Sequence, residues 1–230
     1  MILTNCAACA APLAHDAPRC VRCKTRYCNS TCQHDHWRRG HKQICKKIHR
    51  GGNAEQYHAD QKYKEAVKVA VEKCADDTKG QTCYIYTEAV HWKTKEGLVR
   101  GCACRGTAGF AHVSCLAEQA KILFAEAEEK NLDCEALDAR WAHWDTCSLS
   151  EQLYHGVVMC ALGWACWKTY TSGGRRGTNL GGCDDNAWDR FIRSTTLRGR
   201  AVRARGSVVY DAAYWLVRTQ LARHAGQSCD

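Results

Sequence analysis

The chain has 230 residues and a formal net charge of +9, with 45% apolar and 25% charged residues and a mean hydropathy of −0.48. That balance fits one or two globular domains and excludes a coiled coil, a collagen-like chain and a wholly disordered one. No stretch reaches the roughly 18 apolar residues of a membrane span, and the N-terminal MILTNCAACAAPLA lacks the basic start of a signal peptide.

Cysteine is the outlier, at 18 residues alongside 11 histidines. A secreted disulfide scaffold of this density would be shorter and carry a signal. The ligand-like spacing points instead to zinc in a reducing, intracellular compartment, cytoplasm or nucleus. Charge divides the chain further. Residues 1–50 carry ten Lys/Arg against Asp16 and Asp35, residues 51–170 are mildly acidic, and residues 171–230 hold ten Arg and no Lys. The expected organisation is a metal-binding segment at 1–50, a connector at 51–80, a second Cys/His segment at 81–170 and an Arg-rich tail at 171–230.

The first segment reads Cys6-x2-Cys9, Cys20-x2-Cys23, Cys28-x3-Cys32 and His41-x3-Cys45. Eight ligands suffice for two tetrahedral sites. Pairs with two intervening residues suit turns, and those with three lie one helical turn apart on one face. The run resembles the MYND zinc finger. Tyr27 stands before Cys28, Gln33 follows Cys32, and Trp37 precedes His41, here with three residues between them where the family pattern has two. The resemblance implies interleaved pairs, with Cys6, Cys9, Cys28 and Cys32 on one Zn2+ and Cys20, Cys23, His41 and Cys45 on the other. His34 and His36 read as solvated helix residues. Both sites would be closed and structural. Arg22, Lys24, Arg26, Arg38, Arg39, Lys42, Lys46 and Lys47 could meet phosphate or frame a peptide groove. The resemblance favours a peptide from a partner protein, often proline-containing, over nucleic acid.

In the connector, Asn53 and Gln56 have capping-box spacing. Tyr63, Ala66, Val67, Ala70, Val71 and Cys74 form one helical stripe with Cys74 as a buried thiol, and Asp76–Gly80 ends it.

The second segment holds Cys83-x2-Tyr86, Cys102-x-Cys104, His112-x2-Cys115 and Cys147-x2-Ser150. The string GCACRGTAGFAHVSCL resembles the RING-CH (RING-variant) family over about 83–155, whose members bind a ubiquitin-conjugating enzyme. The resemblance implies one site from Cys83, His112 and Cys115 and another from Cys102, Cys104 and Cys147. Tyr86 and Ser150 stand where each fourth cysteine would be, and both are poor ligands when protonated. Water, His91, His143 or Asp145 could complete a site. Three ligands plus water is also the pattern of catalytic zinc, but a twice-degraded structural frame explains the same residues without a substrate. Ile85 and Trp144 match the family's enzyme-contacting positions. Leu116, Ala120, Leu123, Phe124 and Ala127 form a helical stripe that Asn131 would terminate. Ser148 and Glu151 would cap a further helix carrying Leu153, Val157, Val158, Ala161, Leu162 and Ala165, and Trp141, Trp144, Trp164 and Trp167 would add bulk.

The tail has weak periodicity before 208–221. It reads as an Arg-rich arm (Arg193, Arg198, Arg200, Arg203, Arg205) or as an out-of-frame product. A one-nucleotide shift of permitted codons for Asp184–Arg218 gives a string resembling a tetratricopeptide helix pair.

The expected fold is a set of small zinc-stabilised α+β modules, a cross-brace finger plus a RING-like frame, mostly helical elsewhere. No catalytic triad, P-loop or dinucleotide motif is present. The expected function is a zinc-binding protein-interaction module carrying two Zn2+ and up to four. The alternatives are a RING-type ubiquitin transferase and a nucleic-acid binder.

Overall fold

The computed structural model describes residues 3–171; the readings made for the Arg-rich tail lie outside them. The helices are α1 (Ser30–His36), α2 (Lys42–Arg50), α3 (Ala54–Cys74), α4 (Val113–Glu129), α5 (Cys134–Trp141) and α6 (Gly156–Thr171), with a π-type turn at Trp37–His41 and a 3-10 turn at Ala142–Trp144. The described residues contain no β-sheet, which corrects the expected α+β class. Extended pairing is confined to isolated bridges, Asn5 with Pro12, Arg19 with Arg26, Val99 with Ala111 and Thr146 with Leu153. Three of these four flank one recurring tight turn, which consumes the residues a longer ladder would need.

That turn occurs five times, beginning at Cys6, Cys20, Cys83, His91 and Cys147. In each, the N–H of the fifth residue donates to the carbonyl of the first, and the first N–H donates to the carbonyl of the sixth. At Cys6 these are Ala10 N to Cys6 O at 2.9 Å and Cys6 N to Ala11 O at 2.8 Å; at His91 they are Lys95 N to His91 O at 2.9 Å and His91 N to Glu96 O at 3.0 Å. The fifth residue is left-handed every time: Ala10, Lys24, Thr87, Lys95 and Glu151 have φ of 60, 63, 66, 59 and 53°. A non-glycine residue pays about 1–2 kcal/mol for that conformation, so something beyond local preference fixes these turns.

The chain divides into two compact units, with the described residues splitting at Gln61 and Lys62. The first unit's core is Cys6, Cys20, Cys23 and Cys45 with Leu13, Ala17, Tyr27, Ile48 and Ala54. Only three of these are large hydrocarbon or aromatic side chains, too few to hold a segment this short together. Arg26 is buried, and its guanidinium donates to the carbonyls of Leu3, Ala14 and His15. It ties down loops, so it leaves the basic groove expected from sequence; the other seven cations are exposed. Asn53 caps α3, accepting from the Gln56 N–H at 2.9 Å, and the Ala54 N–H donates to the Cys23 carbonyl.

In the second unit the expected stripe of α3 packs into a core with Leu98, Val99, Phe110, Leu116, Val158 and Leu162. Cys74 is buried there, and its thiol reaches the Arg100 carbonyl. Helix α4 buries Leu116, Ala120, Phe124 and Ala127 and ends in a Schellman motif. Asn131 has φ of 49°, Leu132 N donates to Ala127 O, and Asn131 N donates to Glu128 O. Phe124, Trp141 and Tyr170 cluster with ring centroids 5.0–6.1 Å apart. One expectation fails: Ser148 and Glu151 cap no helix, because residues 147–152 form the fifth recurring turn, and α6 starts only at Gly156. Leu153 therefore sits in the bridge to Thr146, outside α6.

Helix α6 meets the loop at Gly101, where an added Cβ would lie 2.4 Å from Val158 Cβ. Gly101→Ala is expected to lower the melting temperature of the second unit by several degrees, a loss of about 1–3 kcal/mol from overpacking, measurable by thermal denaturation. An unchanged transition would contradict this packing.

Candidate metal centres

Four groups of side chains bring their donor atoms within 4.8 Å of one another: Cys6, Cys9, Cys28 and Cys32; Cys20, Cys23, His41 and Cys45; Cys83, His112 and Cys115; and Cys102, Cys104 and Cys147. The grouping is interleaved in both halves. His91, His143 and Asp145 lie outside these groups.

The spacing within the groups fits a tetrahedral ion. Sulfur pairs stand 3.5 Å apart at Cys9–Cys28 and 3.8 Å apart at Cys9–Cys32, Cys20–Cys45 and Cys104–Cys147. A disulfide would hold them at about 2.05 Å. Two thiolates each about 2.3 Å from one tetrahedral Zn2+ sit about 3.8 Å apart. Cys23 Sγ is 3.4 Å from His41 Nε2, and Cys115 Sγ is 3.5 Å from His112 Nδ1, which marks the donor nitrogen of each ring.

At Cys6, Cys20 and Cys147 the recurring turn favours the thiolate. Burial pushes the Cys6 thiol up, but the N–H groups of Cys9, Ala8 and Cys28 outweigh it and bring the group down to about 6. The same contest lowers Cys20, through the N–H groups of Cys23 and Arg22, and Cys147, through those of Leu149 and Ser150. Several of their neighbours move the opposite way. Contact with Cys9 and Cys6 pushes Cys28 up to about 12, and burial followed by the neighbouring thiols pushes Cys45 and Cys102 up to about 12. Anions this close repel, so a cation is the only means of ionising a whole group together. The donor set and the sulfur spacing both fit Zn2+, with Cys6, Cys20, Cys83 and Cys147 as the turn-held ligands.

The extra residue between Trp37 and His41 also has its explanation. The π-type turn absorbs it, with Gly40 at φ of 135°. His41 thereby reaches its group. Its ring stacks on His36 at 4.9 Å, and His36 Nδ1 lies 3.0 Å from the hydroxyl of fully buried Tyr27. His36 is thus a support for His41, whereas the sequence suggested a solvated residue; His34 is exposed as expected. Trp144 is fully buried, against Ala120, Ala165 and Cys166, and offers no surface to a partner, while Ile85 is 37% exposed. Sequence reasoning also missed the His91 turn, whose signal was only a His followed four residues later by a Lys.

Residues 6–45 match the MYND finger family. Over 42 residues the chain is 52% identical to a Ubiquitin C-terminal hydrolase 15 of Oryza sativa subsp. japonica, covering 18% of this chain and 4% of that protein. Over 43 residues it is 51% identical to a Ubiquitin carboxyl-terminal hydrolase 17 of Arabidopsis thaliana, covering 18% of this chain and 6% of that one. The likeness is confined to the finger, and the chain spans only a few per cent of either relative. No solved structure matches the chain. The first segment is a MYND zinc finger, a zinc-binding interaction module.

Two predictions follow from this geometry. An added Cβ at Gly40 would touch nothing, so Gly40→Ala tests backbone strain alone. It is expected to destabilise the finger by about 1–3 kcal/mol, read as faster zinc loss to a chromogenic chelator; equal loss rates would contradict the π-turn account. Burial lowers His41 and His112 below their ordinary 6.5. The unfolded chain therefore takes up protons first as pH falls through 6.5, and stability declines with it. Zinc release should accelerate below pH 6.5, and a release rate independent of pH down to 5 would contradict this.

Proposed function

We propose that this chain is a zinc-built adaptor whose MYND finger docks a peptide segment of a partner protein. In this reading Cys6, Cys9, Cys28 and Cys32 ligate one ion, and Cys20, Cys23, His41 and Cys45 a second. Cys83, His112 and Cys115, and Cys102, Cys104 and Cys147, form two further zinc centres of a RING-like frame. The observation that carries the docking role is Trp37. It is 40% exposed at the π-type turn, its ring centroid 5.8 Å from that of His41, so an apolar plate is held beside a metal ligand. A rigid, partly exposed Trp is the usual anchor of a recognition surface, and its flat face suits proline. Exposed Ile44, also in the first unit, adds apolar surface, and Arg38, Arg39, Lys42, Lys46 and Lys47 give the segment a cationic surface for acidic flanks.

The ligase reading has weaker support. Interleaved pairing in the second unit and exposed Ile85 favour it, but burial of Trp144 removes one of the two contacts it needs. Nucleic-acid binding rests on the cations alone, and one of those, Arg26, is turned inward.

An array of proline-containing peptides, with and without acidic flanks, tests the docking role. Binding is expected for a subset, and Trp37→Ala should weaken it at least tenfold with the zinc content unchanged. Equal binding by the variant, or no binding to any peptide, would contradict the reading.

A further inference from the structure

The recurring turn begins with a grouped cysteine in four of its five occurrences. In the fifth it begins with His91. The match extends to the side chain. In the cysteine turns the N–H groups of the third and fourth residues are aimed at the sulfur, as at Cys6, Cys20 and Cys147, and the Tyr86 N–H donates to Cys83 Sγ at 3.3 Å. At His91 the Thr94 N–H donates to Nδ1 at 3.1 Å, and the Thr94 hydroxyl lies 2.8 Å from the same nitrogen. The left-handed Lys95 bears the same strain as its four counterparts.

This turn stands beside the group that lacks a fourth donor. The His91 ring centroid is 5.3 Å from that of His112 and 5.6 Å from that of Tyr86, and Tyr86 is 6.3 Å from His112. Tyr86 occupies the position where a second cysteine would follow Cys83, but a phenol is a poor zinc ligand. A ring whose Nδ1 accepts from the Thr94 N–H carries its proton on Nε2, so Nε2 meets an ion only once that proton moves to Nδ1.

We propose that His91 is the fourth protein ligand of the Cys83–His112–Cys115 centre, replacing the ligand lost at Tyr86. The proposal rests on the reading that this centre holds zinc. Two thiolates and two neutral imidazoles around Zn2+ give a centre of zero net charge, which suits its buried position. His91 stands outside the radius that joins the other three donors, so its side chain closes inward when the ion binds, on a backbone turn already formed. As the side chain closes inward it leaves the Thr94 N–H, its proton moves from Nε2 to Nδ1, and Nδ1–H donates to the Thr94 hydroxyl while Nε2 takes the ion.

The test is zinc counted per full-length chain by metal mass spectrometry after dialysis against a chelator. His91→Ala should retain one zinc fewer than the parent, as should Cys83→Ala, and Tyr86→Phe should retain the full number. His91→Cys should restore the count and, in the cobalt-loaded protein, add thiolate-to-cobalt charge-transfer absorbance. A His91→Ala chain that keeps every zinc, or a Tyr86→Phe chain that loses one, overturns the proposal. If His91→Ala does not fold, His91→Cys decides, since a merely structural His91 predicts no added absorbance. If Cys83→Ala loses no zinc either, the centre itself is not a zinc site, and the reading beneath the proposal falls with it.

Discussion

Thiolates crowded to within 3.5–3.8 Å of one another cannot all be ionised without a cation between them. Most other features of the described fold answer to that constraint. At Cys6 the turn presents backbone N–H groups to the sulfur and so favours its thiolate in advance, while Cys28 beside it is pushed toward the protonated form. The turns themselves are strained, since each places a non-glycine residue at positive φ. Metal binding supplies what local preference withholds, and in a core built largely of cysteine it supplies folding energy as well.

The two units use the same device with different completeness. In the first, two groups of four donors are closed, and a Trp is left partly exposed beside one of them. The metal there is scaffold, and the chemistry of the surface is apolar and cationic. In the second, each group has three donors, and the surrounding helices carry a hydrocarbon core. That core can hold the frame in place around a weaker centre, which is the setting in which a ligand could be lost and another recruited.

The Cys/His pairs were the part most legible in the sequence, because a two- or three-residue gap between cysteines has few other uses. The stripes of α3 and α4 were legible too, since Val67, Ala70 and Cys74, and Leu116, Ala120 and Phe124, follow helical spacing. The failures share a cause. Ser148 and Glu151 carry a helix-capping signature, yet the recurring turn at Cys147 claims the same residues. Trp144 had two readings, a family surface position and core bulk, and Tyr170 with Ala120, Ala165 and Cys166 packs it into the core. The extra residue between Trp37 and His41 departed from the family pattern, and the π-type turn absorbs it with Gly40 at positive φ. The turn at His91 was invisible because its definition is a hydrogen-bond pattern and a left-handed residue, neither of which a residue type announces.

The most direct test of this account is the number of zinc ions on the intact, freshly purified chain, counted by native mass spectrometry. Four per chain is the predicted result, two in each unit. A chain that carries two, both lost when the finger's cysteines are replaced, would contradict the claim that the second unit is built around metal.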